Sequence, residues 1–379
     1  MRVSAPEGVS IRKAMREDGS ALLKSFKGVL PENNVLLAIH YAMLTTRLMD
    51  ARMMNLQRQG RVGFVGSAMG QEGAIHASAA AFGAEDWIFS ALREGGVTLQ
   101  RGMSMNDYIA HMFGNAEDTA KGRQMPNHFQ CRPANFPTWS SVLGTQLPHA
   151  VGAAMAMQRR GEKNVVAAYT GDGATSTSGF HSAMNFAGVY KAPVVFLVID
   201  NGWAISLPSS KQTAARSYGD KAVAYGMPGH NVDGMDVFAV YDAVQEAHQR
   251  ARDGGGPSLV NLRCYRQGGH SSSDDPTRYR NEEEVAYWAK RDPLARIENY
   301  LFKHGLLNQS ELEQMNQALT AQISASIKHA ETVGNPPLES LVEDVFATPP
   351  LHLRRQVAEA LRIVAEKGDV EKLLGKFPL

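Results

Sequence analysis

Two apolar runs, Val165 to Tyr169 and Pro193 to Ile199, each break into a polar turn: Gly171-Asp172-Gly173 after the first, Asp200-Asn201-Gly202 after the second. Short unbroken apolar runs suit strands buried on both faces of a parallel sheet. Between them Phe180, Met184, Ala187 and Gly188 recur at helical spacing, behind Ser and Thr residues able to cap a first turn. The stretch therefore predicts a strand, a helix and a second strand. Neighbouring parallel strands end side by side, so Asp172 and the Asp200-Asn201 pair are expected to converge on one crevice.

The same patterning organises the rest of the chain. Residues 1–33 lack sustained periodicity and are expected to form an arm that packs on a partner. Leu36, Leu37, Ile39, Met43, Leu44 and Leu48 follow helical spacing from Asn34 to Gln59, with Gly60 as the stop. Gly63, Gly66 and Gly70 mark a loop, in which Phe64 is either a lining of a substrate entrance or a local anchor. A strand is expected from Trp87 to Leu92, leading into Arg93-Glu94-Gly95-Gly96. Ser140, Ser141, Thr145 and Gln146 precede a helix at Leu147 to Met157, where capping is the plain explanation for them. A turn and an amphipathic helix fit the stretch from His230 to Arg252, and Leu259 to Cys264 reads as another strand. That strand runs into CYRQGGHSSSDDPTRYR, too polar to bury a core of its own and suited to a loop that closes over a site. The expected layout is an arm (1–33), a large α/β domain (34–309) and a largely helical tail (310–379).

Composition narrows the class. A chain of 379 residues with 44% hydrophobic and 20% charged residues and net charge +1 has no basic face for nucleic acid. It also has no apolar run near the roughly 20 residues of a membrane span. Cys131 and Cys264 are too few for a disulfide framework or a zinc cluster, and the N-terminus has no apolar signal segment, so a reducing cytoplasm is expected.

Chemistry concentrates at the strand ends. Oxygen donors from Asp172 and Asn201 suit magnesium, which shares its octahedron readily with a phosphate, and a helix N-terminus beside two glycines offers amides to the same anion. Gly-Asp-Gly alone is a common strand-end turn with no ligand; followed by a helix and a strand ending in Asp-Asn-Gly, it resembles the thiamine-diphosphate fingerprint. Arg93, just past a strand end, is placed either to reach a diphosphate bidentately or to salt-bridge at the surface. His270, behind two glycines and near several hydroxyls, is placed to move protons.

With GRVGF and GQEG, REGG, GRQMPNHF, GTQLPHAVGAA, YTGDGATS, FAGVYKAP, DNGWAIS, GGHSSSDDPTRYR and YWAKRDPLARIENYL in this order, the chain resembles the alpha subunit of the decarboxylating component of 2-oxo-acid dehydrogenase complexes. The resemblance implies a thiamine-diphosphate-binding fold: a mostly parallel sheet flanked by helices, with helical N- and C-terminal extensions. It implies that Asp172, Asn201 and the backbone oxygen of Trp203 hold magnesium. Gly171, Gly173 and Ala174 would cradle the diphosphate with Arg93 and Ser141, and Leu143 would pack by the cofactor. His270 would act beside the thiazolium, with Arg266, Tyr279 and His128 lining the channel. Ser140, Thr145 and Gln146 match a monovalent-cation site of some relatives. Ser271 matches a phosphorylated position of mitochondrial ones, although a plain loop serine is the simpler account here.

The implied reaction is oxidative decarboxylation of a 2-oxo acid, with acyl transfer to a lipoyl-bearing acyltransferase and a glutamate supplied by a separate beta chain in a two-alpha, two-beta assembly. Branched-chain substrates are favoured over pyruvate or acetoin. A nicotinamide dehydrogenase is disfavoured because no G-x-G-x-x-G follows a strand; a non-catalytic scaffold subunit is the other alternative. The chain departs from the family pattern at Leu92, where an aromatic is usual, at Ile199, where a polar residue is usual, and at Asp200, where the first of two asparagines is usual. Weaker cofactor retention is the expected consequence.

Overall fold

The computed structural model describes residues 8–343 and 345–367. Five strands form one sheet: β1 (Trp87–Phe89), β2 (Val166–Gly171), β3 (Val194–Asp200), β4 (Gly229–Asp233) and β5 (Ser258–Arg263). Their order is β1-β2-β3-β5-β4, every pair parallel. β2 and β3 are buried along both faces, as the unbroken apolar runs require. Alternation divides the side chains: Ala167, Tyr169, Val195, Leu197 and Ile199 join one core, Val166, Ala168, Val194, Phe196 and Val198 the other.

The first core is covered by α1 (Asn33–Arg58), α2 (Glu72–Ala79) and, later in the chain, the amphipathic helix Val237–Arg252. The second is covered by α3 (Gln146–Arg159) and α4 (Ser178–Tyr190). Thr177 caps α4, its hydroxyl accepting the Phe180 N–H at 3.2 Å. Among the expected strands, the one at Trp87 is short and ends at Phe89.

The edge strand β4 lies inside the stretch read only as a turn before a helix. Its residues Gly229, His230, Asn231 and Asp233 are polar or small, and a single buried Val232 gives no period-two signal. The arm runs beside this edge: Arg12 N–H donates to the Asn231 carbonyl at 2.8 Å, and Asp233 N–H donates to Arg12 at 3.0 Å. Asp236 Oδ2 accepts the N–H groups of Ala14 and Met15, and Arg12 pairs with Asp242 at 3.0 Å. The arm thus packs on its own chain, where it covers an open sheet edge; residues 8–32 are irregular, and helix begins at Asn33.

The tail begins with helix Gln309–Ala330, whose Leu319, Ile323 and Ile327 are buried in the first core. It is therefore continuous with the large domain. A further helix, Leu351–Lys367, leaves the side chains of residues 351–366 exposed or half-exposed. Residues 1–7, 344 and 368–379 of the expected arm and tail lie outside the described residues.

Candidate active site

The register Gly171↔Ile199 between β2 and β3 sets the ends of these strands side by side, and a cleft of about 450 Å³ opens there. Arg93, His128, Ser140, Ser141, Leu143, Gln146, Gly171, Asp172, Gly173, Ala174, Asn201, Trp203, Arg266 and His270 all line it, as does Phe64. Of the residues expected there, Tyr279 and Thr145 do not. Tyr279 instead accepts from Arg266 Nη2 at 2.7 Å and donates to Asp274, holding the buried guanidinium from behind.

At the end of β2 the chain turns through a short 3₁₀ helix, Asp172–Ser176, that carries Gly173 and Ala174. A Cβ at Gly173 would come within 2.8 Å of Ala204, so glycine lets the Trp203–Ala204 strand pass close to Asp172. Burial, with the Asp200 carboxylate behind it, pushes the Asp172 carboxyl up to about 7. Ser209 donates to Asp172 Oδ2 at 2.8 Å and lies 3.3 Å from Asp200 Oδ1. Asp200 and Asn201, read as a pair, part company. Asn201 faces the cleft, whereas Asp200 lines a separate cavity of about 290 Å³ with Asn261 and Tyr218.

Asn201 is held at both ends of its amide. Its Oδ1 accepts the Trp203 N–H at 3.2 Å and its Nδ2 donates to Gln71 Oε1 at 2.9 Å. The Trp203 carbonyl accepts from Arg266 Nη1 at 3.3 Å, leaving one lone pair for another partner. Gln146 Nε2 donates to the Tyr169 carbonyl at 2.9 Å, while its Oε1 is buried without a partner among the described residues. Ser140 and Thr145 use their hydroxyls within the turn: Val142 N–H donates to Ser140 Oγ at 3.2 Å, and Thr145 Oγ1 donates to the Val142 carbonyl at 2.8 Å.

On the opposite wall, Arg93 donates to the carbonyls of Ser67 and His270. The His270 loop is sewn to the glycine loop ahead of α2: Gln267 N–H donates to Met69 O and Ser272 N–H to Val65 O, both at 3.0 Å. Burial, followed by the Arg93 and Arg266 charges, brings the His270 imidazole down to about 4, so it is neutral near pH 7. His128 stacks on Trp139 with ring centroids 4.3 Å apart; its Nδ1 lies 3.2 Å from the Pro126 carbonyl and its Nε2 2.6 Å from Ser141 Oγ. Nδ1–H donation to that carbonyl makes Nε2 the acceptor of the Ser141 hydroxyl. Burial lowers the His128 pKa.

These residues match the model of the family described as dehydrogenase E1 component, over residues 40–339. The chain belongs to the dehydrogenase E1 component family. It is 36% identical over 363 residues to the human mitochondrial 2-oxoisovalerate dehydrogenase subunit alpha, covering 96% of this chain and 81% of that protein. It is 40% identical over 332 residues to the protein of that name from Caenorhabditis elegans (87% and 77%). With the 3-methyl-2-oxobutanoate dehydrogenase subunit alpha of Mycobacterium tuberculosis it shares 44% over 303 residues (80% and 78%).

The donor set of this E1 cleft fits magnesium and a diphosphate. Asp172 and Asn201 offer hard oxygens on one side, and Gly173 and Ala174, at the start of the 3₁₀ turn, line the same cleft. Among the described residues no group of three or more His, Cys, Asp and Glu side chains forms a metal cage, so a cation here would take part of its shell from its anion. No described helix is long and apolar enough to cross a membrane. Gln71, which also lines the cleft, and Ser209, which bonds Asp172, are not marked by the sequence pattern. Gln71 lay within the GQEG segment, but nothing in its spacing distinguished it from Glu72.

Proposed function

We propose that the chain is the alpha subunit of a branched-chain 2-oxo-acid dehydrogenase, working with thiamine diphosphate and magnesium. The convergence of Asp172 and Asn201 at adjacent strand ends, facing Arg93 and His270 across one cleft, carries this assignment. The relatives named for 2-oxoisovalerate and 3-methyl-2-oxobutanoate favour a branched-chain substrate over pyruvate or acetoin. Phe64 gives the cleft an apolar wall that suits an aliphatic side chain.

Asp172, Asn201 and the free lone pair of the Trp203 carbonyl hold the cation, and the Gly173 and Ala174 amides receive the diphosphate, with Arg93 and Ser141 assisting. Leu143 packs by the cofactor. Ser140, Thr145 and the unpaired Gln146 oxygen offer a place for a monovalent cation. Bound thiamine diphosphate supplies the carbanion and electron sink for decarboxylation. Neutral His270 can accept or donate a proton at the acyl unit, and Arg266, held by Tyr279, keeps a positive charge on the channel beside His128.

The mouth carries apolar side chains in the open, among them Leu143 (58% exposed), Met125 (54%), Ile205 (54%) and Leu207 (41%). Such a surface suits closure by a beta chain in a two-alpha, two-beta assembly, from which the acyl group passes to a lipoyl-bearing acyltransferase.

The test is calorimetric binding of thiamine diphosphate with magnesium to the chain co-expressed with its beta chain, beside Asp172→Ala. Binding that needs magnesium and disappears in the variant supports the assignment, and a panel of 2-oxo acids then ranks substrates. No binding by an assembled complex would sink it in favour of a scaffold subunit.

A further inference from the structure

Gln71 is completely buried, yet it lines the cleft. Its backbone is fixed on both sides: its N–H donates to Ala68 O at 2.8 Å, and its carbonyl receives the Ile75 N–H at 3.0 Å. The side chain is fixed by a chain of two amides. The Trp203 N–H can meet only an oxygen, which makes the near atom of Asn201 Oδ1 and the far one Nδ2. That Nδ2 in turn can meet only an oxygen, which makes its neighbour Gln71 Oε1. The remaining group, Gln71 Nε2, is a buried donor with no partner among the described residues. Buried donors are almost always paired, and an unpaired one beside a binding cleft calls for a ligand acceptor.

The neighbours sharpen the need. Leu92 and Ile199 line the same cleft and bring no donor to it. Resting on the magnesium and diphosphate assignment above, we propose that Gln71 is a binding residue with two roles. Its Oε1 keeps Asn201 turned so that Oδ1 serves the cation, and its Nε2 donates to an oxygen of the diphosphate held by that cation. The diphosphate is the favoured acceptor because Gln71 touches the metal-binding end of the cleft, at Asn201.

The two roles separate by substitution. Gln71→Met has a similar shape and can do neither. Gln71→Glu keeps an acceptor for Asn201 and loses the donor. The dissociation constant of thiamine diphosphate is measured at saturating magnesium on the assembled alpha–beta complex, with thermal melting as the folding control. Each lost role weakens binding about tenfold, so Gln71→Glu falls about tenfold and Gln71→Met about 100-fold. Gln71→Met binding within about twofold of the unaltered protein would make Gln71 mere packing and overturn the proposal. Native affinity in Gln71→Glu would overturn the donor role, and equal weakening in both variants would overturn the hold on Asn201. A loss confined to KM for the 2-oxo acid would overturn the diphosphate as acceptor. Should Gln71→Met not assemble, the isosteric Gln71→Glu still decides the donor role. Failure of the unaltered complex to bind the cofactor would instead bring down the functional assignment itself.

Discussion

Arg93 and His270 are tied across the cleft: Arg93 Nη2 donates to the His270 carbonyl at 2.7 Å and lies 3.4 Å from its Nδ1, while Nη1 reaches the Ser67 carbonyl. One guanidinium thus fixes the backbone of the His270 loop, anchors it to the glycine loop and disfavours protonation of the imidazole it holds. Removing it should loosen and recharge the same residue at once.

Arg93→Met is accordingly expected to lower kcat/KM by about 10- to 100-fold, the range for losing charge-assisted hydrogen bonds in a buried site. It should also raise the His270 pKa from about 4 toward the ordinary histidine range, since the Arg93 charge is the second cause of its depression after burial. Steady-state kinetics and a histidine-resolved NMR titration check the two halves. An unchanged titration would show that burial alone sets the proton affinity.

His270 also makes stability depend on pH. Its folded pKa of about 4 lies below its ordinary value of 6.5, so between the two the unfolded chain binds more protons. Its contribution is therefore fully present above pH 6.5 and is lost as pH falls toward 4. His270→Gln should flatten this part of the profile, read as the urea midpoint at pH 7.5 and pH 5. A slope unchanged by the substitution would assign it to other groups.

Leu92 and Ile199 predict loose cofactor retention. Both line the cleft without offering a donor, so on the proposed assignment the diphosphate would rely on backbone amides, Arg93, Ser141, Gln71 and the cation. The complex should lose bound thiamine diphosphate during gel filtration in cofactor-free buffer. Leu92→Tyr or Ile199→Gln should tighten binding about tenfold each if the new group reaches the anion. Retention through the column without added cofactor would contradict the expectation.

What was legible in advance follows from where the signals are local. The β2–α4–β3 unit could be read because both strands are unbroken apolar runs and their polar turns carry the candidate ligands. The edge strand β4 could not, because Gly229, His230 and Asn231 bury little and its only clear mark, Val232, is a single position. The arm's seat on its own chain could not be read either, because its anchor, Asp236, lies far along the chain and accepts backbone N–H groups that any sequence could supply. At the site, Asp172, Asn201 and His270 stood out by residue type and turn context. Gln71 and Ser209 matter only through contacts made once β3 and its flanking loops are assembled, so no spacing announces them.

Asp50 is the deepest support of the Arg93–His270 tie. It is buried in α1, and its Oδ2 accepts the Ala68 N–H at 2.6 Å and the Ser67 hydroxyl at 3.0 Å, so it sets the peptide whose carbonyl Arg93 grips. Burial pushes its carboxyl up to about 6. Because the folded chain binds this proton more tightly than the unfolded one, stability from Asp50 is full below pH 3.8 and declines as pH rises to about 6, where the buried charge must be borne. Asp50→Asn keeps an acceptor for Ala68 and removes the charge, and should flatten that decline while leaving kcat/KM within about threefold. Asp50→Leu leaves both Ala68 N–H and the Ser67 hydroxyl unpaired. It should cost about 1–3 kcal/mol for each stranded group, and lower kcat/KM as the Ser67 carbonyl drifts from Arg93. Urea unfolding across pH 4 to 7 together with kinetics distinguishes the two variants. Equal behaviour of Asn and Leu at this position would mean that the carboxylate fills space and does not hold the glycine loop.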